Sequence, residues 1–318
     1  MFKFIVRRLI QTIPVLIGVS ILVFSLMHLI PGDPAQIMAG ESAPEQTVEN
    51  MRERLGLNDP VPVQYFKYVS NALQGDLGSS IRSGRDVTKE IGGRFWITVE
   101  LAIYSTALSV FMGLIAGIIS ATRKYSFADI SLMLIALFGL SMPNFWLGLM
   151  LIQWFAIGFD LPAWIPFFEN TSWFKPSGWG SFSQIVLPVI TLGTGGAAII
   201  ARMTRSSMLE VIGQDYIRTA RAKGVKQRVV VYRHALKNAL IPVVTVVGLQ
   251  FGALLGGTVL TETVFAINGM GKLIIDSILA RDFPIVQGTI LVIALLFVLV
   301  NLLVDITYRL LNKRIDLD

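Results

Sequence analysis

Residues Ile285–Leu310 read IVQGTILVIALLFVLVNLLVDITYRL, with Asp305 and Arg309 as their only charges. A helix rises 1.5 Å per residue, so about 20 such residues cross the hydrocarbon core of a bilayer. The stretch therefore reads as a membrane span, and Asp305 and Arg309 stand at a spacing that permits an intrahelical ion pair near its end. Five further runs have the same character: Leu9–Ile30, Ile97–Ala121, Ile130–Ile157, Ile185–Met203 and Leu240–Val264. The fourth is interrupted by Gly193, Gly195 and Gly196, and glycine in a membrane helix marks close packing or a break. The expected fold is an all-α polytopic membrane protein with six transmembrane helices. Composition agrees: 53% of the 318 residues are hydrophobic and only 15% charged, against about 25% in soluble domains. Cysteine is absent, which excludes disulfides, thiolate metal sites and cysteine nucleophiles. His28 and His234 are the only histidines, too few for an ordinary zinc site.

Basic residues set the orientation. An even number of spans puts both termini on one side. If that side is the cytoplasm, it holds Lys3, Arg7, Arg8, Arg123, Lys124, nine cations between Arg202 and Lys237, and Arg309, Lys313 and Arg314, which is 17 of the 27 Lys and Arg residues. Trp96, Trp154, Trp164, Trp173 and Trp179 then fall at or beyond the outer interface, as an aromatic belt requires. The first run is too long for a signal-peptide core and lacks a clear cleavage site, so it is expected to remain as an anchor. The expected organisation is N-in and C-in. A tail and first helix cover 1–30, an extracytoplasmic segment 31–96, a five-helix core 97–310 and a short tail 311–318. The net charge of +6 reflects this topology and contact with anionic lipid rather than nucleic acid, for which no motif is present.

Between the spans, the outer segment is polar and turn-rich, with short helices expected at Pro44–Leu55 and Val63–Leu73. A second outer loop, Asp160–Ser183, mixes aromatics with Pro162, Pro166 and Pro176. The informative loop is 204–239. Asp215 is suited to an N-cap and Gly224 to the C′ position after Lys223, so a short helix with its own start and stop is expected between them. Its small residues Thr219, Ala220 and Ala222 would let another protein's surface approach closely. A second helical stretch, Gln227–Leu240, leads to Pro242 at the start of the fifth span.

No enzyme motif survives inspection. Gly269-Met270-Gly271-Lys272 lacks the first glycine and the hydroxyl residue of a phosphate-binding loop. Polar groups at membrane depth are candidates for a pathway or gate: Glu100, Asn144, Gln153, Gln250, Glu262 and Asn301, each set against interfacial placement or helix–helix bonding. Gly113-x-x-x-Gly117 and Gly252-x-x-x-Gly256 read as close-packing sites.

The run Gln214-Asp215-Tyr216-Ile217-Arg218-Thr219-Ala220-Arg221-Ala222-Lys223-Gly224 resembles the coupling loop of ABC-importer permeases of the dipeptide/oligopeptide family. Against the general importer signature E-A-A-x-x-x-G, aligned on Gly224, the first three positions are Arg218, Thr219 and Ala220, so the acid is missing, as in the peptide-type subfamily. The likeness continues through Pro31-Gly32-Asp33-Pro34, Leu55-Gly56-Leu57-Asn58-Asp59-Pro60, Gln64-Tyr65, Gly75-Asp76-Leu77-Gly78, Pro143-Asn144-Phe145-Trp146-Leu147-Gly148, Asn268-Gly269-Met270-Gly271 and Arg281-Asp282-Phe283-Pro284. It is similar to the first permease of the pair, the type that includes glutathione importers. Asn268 stands where many relatives have proline.

The resemblance implies a type I importer fold in the cell membrane of a bacterium or archaeon. It also implies a heterodimer with a second, related permease, two ATPase subunits below, and an extracytoplasmic substrate-binding protein above. This chain would hold no cofactor, while ATP and Mg would bind the partner ATPases. Asp215, Tyr216, Arg218, Thr219, Ala220, Arg221, Ala222, Lys223 and Gly224 would carry coupling, with Asp215 as cap. The cargo implied is dipeptides or oligopeptides, with glutathione or a nickel or other metal chelate as alternatives. An ion-coupled carrier using Glu100 or Glu262, and a non-transporting scaffold, are the readings from other classes.

Overall fold

A computed structural model describes residues 2–29, 33–40, 42–158 and 172–311. The first half of the proline-containing loop expected at Asp160–Ser183, with Pro162, Trp164 and Pro166, lies outside them, as does the tail from 312. Fourteen α-helices are described: α1 Phe2–Leu29, α2 Pro34–Ala39, α3 Glu45–Arg54, α4 Val61–Leu73, α5 Val87–Thr122, α6 Phe127–Ser141, α7 Asn144–Ile152, α8 Phe182–Ile212, α9 Asp215–Ala222, α10 Gln227–Val229, α11 Leu236–Gly257, α12 Val259–Val264, α13 Met270–Leu279 and α14 Phe283–Leu311. Two π-helical turns, Gln153–Ile157 and Val230–Ala235, follow α7 and α10. Five helical runs are long and apolar enough to cross a membrane, or six if α6 and α7 together make one span.

That pair corrects the expected single span over Ile130–Ile157. The axes of α6 and α7 bend by 99° at the break between them. Pro143 is the cause: it lacks an N–H and its ring disfavours the helical region for the residue before it. Met142 accordingly sits at φ −78°, ψ 130°. The 15 residues of α6 reach only about 22 Å, short of the hydrocarbon thickness.

The fourth span needs the opposite correction. Gly193, Gly195 and Gly196 do not interrupt α8, which runs unbroken for 31 residues from a Ser181–Gln184 capping box. Two of these glycines admit neighbours instead. A Cβ on Gly193 would lie 2.9 Å from Leu108 Cδ2, and one on Gly196 would collide with Ser109 Oγ. The helical stretch expected at Gln227–Leu240 is present and runs without a break into the fifth span. Helical backbone is continuous from Gln227 to Gly257 through the π-turn, and Pro242 lies inside α11 rather than at its first position. Glu262 then belongs to the separate short helix α12.

The chain divides into two compact units, Met1–Thr98 with Asn268–Val298, and Val99–Ile267 with Leu299–Asp318. In the first, Val87, Ile91, Met270, Leu273 and Ile285 form a core against which Leu77 and Phe95 pack. Buried Asp282 accepts the Ser80 hydroxyl and the Ile81 N–H, the latter at 3.0 Å. Thr98 Oγ1 accepts the Met270 N–H at 2.8 Å, and Gln287 Nε2 donates to Val23 O at 3.1 Å. Burial pushes the Tyr68 phenol up to about 12. The helices expected in the outer segment are present as α3 and α4; α2 and α13 were not foreseen.

In the second unit, α5 and α8 meet through small residues. A Cβ on Gly117 would lie 2.5 Å from Thr204 Cβ and 2.7 Å from Ala201 O, and one on Gly113 2.7 Å from Ile200 Cβ. The Gly113-x-x-x-Gly117 pattern is therefore a packing seam. Replacing Gly117 with Val forces overpacking worth about 1–3 kcal/mol. The expected result is a lower thermal midpoint in detergent for Gly117→Val. Gly18→Ala, where a Cβ meets nothing within 4 Å, should leave the midpoint unchanged.

Candidate functional site

The loop helix α9 is built much as its sequence demands, with one correction. Its N-cap is Gln214, at φ −72° and ψ 151° with no side-chain cap bond, and Asp215 is the first helical residue. The Asp215 carboxylate faces solvent and pairs loosely with Arg218 Nη1 at 3.4 Å. Its contribution is charge in the first turn, complemented by Arg221 in the last, as the helix dipole favours. At the other end the stop signal is complete. Gly224 adopts φ +76°. Its N–H donates to Arg221 O at 2.9 Å, and the Val225 N–H donates to Ala220 O at 3.2 Å. These two bonds are a Schellman motif, which satisfies carbonyls the helix would otherwise leave open.

Eight residues are too few for a helix to hold itself together in water. Ile217 supplies the missing stability. It is fully buried in a cluster with Ala121, Met208, Val230, Val231, Ala235 and Ala239, and Ala220 packs on the same cluster. Tyr216 is held from the side by Asn238, whose Nδ2 donates to the phenolic oxygen at 2.7 Å. Asp215, Tyr216, Arg218, Thr219, Arg221, Ala222, Lys223 and Gly224 are left exposed. Of the small residues expected to meet a partner, Thr219 and Ala222 face outward while Ala220 serves the chain's own core. The anchor Ile217 was overlooked, although it is the only large aliphatic residue between Gln214 and Gly224.

Two of the polar pathway candidates come together. A cleft of about 460 Å³ beside the α6–α7 break is lined by Gly139, Pro143, Asn144, Gly195, Gly196 and Gln250, among others. Irregular backbone is tolerated at membrane depth where it lines such a cavity. The other candidates are placed elsewhere. Glu100 accepts the Trp179 indole N–H at 3.1 Å. Gln153 Nε2 donates to Gly158 O at 2.7 Å, closing the π-turn it begins. Glu262 is fully buried and accepts the Thr258 hydroxyl at 2.9 Å. Asn301 is half-buried on α14 and does not line the cleft.

A second pairing escaped the sequence reading because its partners lie 76 positions apart. Asp129, in the first turn of α6, is buried and accepts Arg205 Nε at 2.7 Å and Nη2 at 2.8 Å. It also accepts the Ser120 hydroxyl and the Tyr125 N–H, the latter at 2.9 Å.

Truncating the anchor tests the structure of α9. Ile217→Ala removes a fully buried side chain at a cost of about 2–5 kcal/mol. Gly224→Val places a β-branched residue in the left-handed region at about 1–2 kcal/mol. Both should speed hydrogen exchange of the amides at 217–225, Ile217→Ala by the larger factor. Thr219→Ser, on the outer face, should leave exchange unchanged.

Comparison with known proteins fits this architecture. Residues 113–317 match the family model described as "Binding-protein-dependent transport system inner membrane component", and residues 1–102 match the corresponding N-terminal model. The chain is 48% identical to a dipeptide transport system permease protein of Alkalihalophilus pseudofirmus, over 99% of each chain. It is 45% identical to a glutathione transport system permease protein of Escherichia coli O6:H1, again over 99% of each. Among solved structures, an inward-facing form of the MetNI methionine ABC transporter shares the fold, with TM-score 0.56 and 20% identity over 70% of this chain and 96% of that one. The chain belongs to the family of binding-protein-dependent transport system inner membrane components, the multi-pass permease subunits of type I ABC importers.

Proposed function

We propose that this permease imports short peptides as one half of a heterodimeric pathway, with α9 as the helix that docks on an ATPase subunit. The observation that carries the docking reading is the construction of α9: closed by a Schellman motif at Gly224, seated on Ile217, with Asp215, Arg218, Thr219, Arg221 and Lys223 left facing solvent. A partner that pushes on such a helix moves the spanning helices behind it. ATP and Mg bind in the ATPase pair, whose closure on nucleotide is relayed through α9. The membrane helices shift between inward-open and outward-open populations, biased by whichever state nucleotide and the loaded binding protein favour. The basic end that bears α9 lies in the cytoplasm, together with both termini, an orientation that the distribution of Lys and Arg supports. The outer segment 31–96 and loop 160–183 receive the binding protein.

The peptide assignment follows the relatives, one named for dipeptides and another for glutathione, itself a tripeptide. Asn144 and Gln250 suit such a cargo, because an uncharged amide both donates and accepts and so can bond a passing peptide group in either polarity.

Purification from detergent with the proteins encoded beside it tests this reading. An ATPase should co-purify with the wild-type chain and be lost on deletion of residues 219–224. Vesicles holding the assembled complex should accumulate labelled dialanine or glutathione only with ATP and the binding protein present. A folded wild-type chain that recovers no ATPase would overturn the assignment.

A further inference from the structure

The mechanism just proposed requires force applied at α9 to reach the membrane helices without slippage, and that requirement points to the pair that buried Asp129 makes with half-buried Arg205. Asp129 gathers three segments besides its own helix: α5 through Ser120, the α5–α6 turn through Tyr125, and α8 through Arg205. One helical turn further along α8, Met208 is fully buried against Ile217 of α9 and Ala121 of α5. The same short stretch of α8 therefore grips the charge clamp and the docking helix. We propose that the Asp129–Arg205 pair is a positioning device that makes α9 and the neighbouring ends of α5, α6 and α8 move as one body. The proposal rests on the docking reading of α9.

Three features favour a coupling role over simple stabilisation. Taking Asp129 out of water offsets much of what its pairing with half-buried Arg205 returns, and the best-attested use of such pairs is to fix register or switch state. Here the geometry is bidentate, with two parallel N–H···O bonds that set the rotation of α8 against α6 as apolar packing does not. Packed helices otherwise slide past one another by small shear motions. Finally, the clamp holds Tyr125 at φ +63°. Residues other than glycine stay in the left-handed region only where their surroundings over-determine them.

The chain has no cysteine, so a pair of labels can be placed without background from it. Phe127→Cys on α6 and Lys226→Cys beyond α9 both lie at exposed positions and can carry spin labels in the assembled complex. With the pair intact, the label-to-label distance should be a single narrow distribution, identical without nucleotide and with bound ATP. With Asp129→Asn it should broaden, while the amount of assembled complex and its basal ATP hydrolysis stay at wild-type levels. The stimulation of hydrolysis by the binding protein loaded with dialanine should fall roughly tenfold, within the range of ordinary coupling between sites. A purely stabilising pair would lower complex yield and leave stimulation per complex intact. If Asp129→Asn fails to assemble, Arg205→Lys, which keeps the charge and loses the fork, is read by the same measurements. A distance that changes with nucleotide in the wild type, or a narrow distribution and full stimulation in the variants, would overturn the clamp. Absence of any ATPase on the wild-type chain would instead overturn the functional reading, and the distance distribution of the chain alone would still report on the clamp.

Discussion

The approach of α5 to α8 across Gly113 and Gly117 is the contact on which the second unit depends. In lipid, apolar side chains gain nothing by leaving one neighbour for another, so helices associate through close van der Waals packing and hydrogen bonds. Gly117 lets α5 lie against Ala201 O and Thr204 with no room for a further carbon. That placement has consequences one turn along each helix. Ser120 and Ala121 follow Gly117 on α5; Arg205 and Met208 follow Thr204 on α8. The first member of each pair enters the Asp129 network and the second enters the Ile217 cluster. A wider α5–α8 spacing would disconnect both together.

The irregular parts of the backbone obey a second constraint. Polar backbone groups in hydrocarbon must be satisfied within the protein or face a cavity. The break at Met142–Pro143 borders the cleft that Asn144 and Gln250 share. The π-turn Gln153–Ile157 is closed by the Gln153 side chain on Gly158 O. In the first unit the sharp turn at Arg281, φ +57°, is followed by Asp282, whose carboxylate organises Ser80 and Ile81. Motifs that carried the family resemblance thus have local physical duties. Pro143 breaks a helix, Gly78 at φ +82° accepts the Val87 N–H through its carbonyl, and Met270 fills a core.

How much of this was legible in the sequence depended on how far apart the cooperating residues lie. The long apolar runs are local, and among the described residues each returned as helix, the third and fifth in separate pieces. The loop helix α9 was legible within two residues, because Gly224 is a local stop signal; its cap, expected at Asp215, lies at Gln214, since Asp is also at home in a first turn. Pro143 was visible inside the third run, yet hydropathy alone ran through it. Pro242 invited the reverse error: read as the first position of a helix, it lies inside α11, which begins at Leu236 and continues past it. Asp129 and Arg205 could not be paired from pattern at all. A lone acid at a helix start reads as a capping charge until the fold brings an arginine to it.

The π-turn at Val230–Ala235 gives the seat of α9 its last constraint. A π-turn accommodates one residue more than an α-turn, and at 3.6 residues per turn a single extra residue rotates everything after it by about 100°. At the start of the turn Val230 faces the Ile217 cluster; at its end Ala235, and beyond it Ala239, face the same cluster, and Asn238 reaches Tyr216. Apolar positions spaced 230, 231, 235 and 239 wrap a face that a straight α-helix would carry partly around to the other side. The same rotation fixes how α11 enters the membrane and hence where Gln250 meets the cleft beside Gly196. The seat of α9 and the position of Gln250 are therefore two ends of one helical run, joined through a turn whose extra residue sets the angle between them.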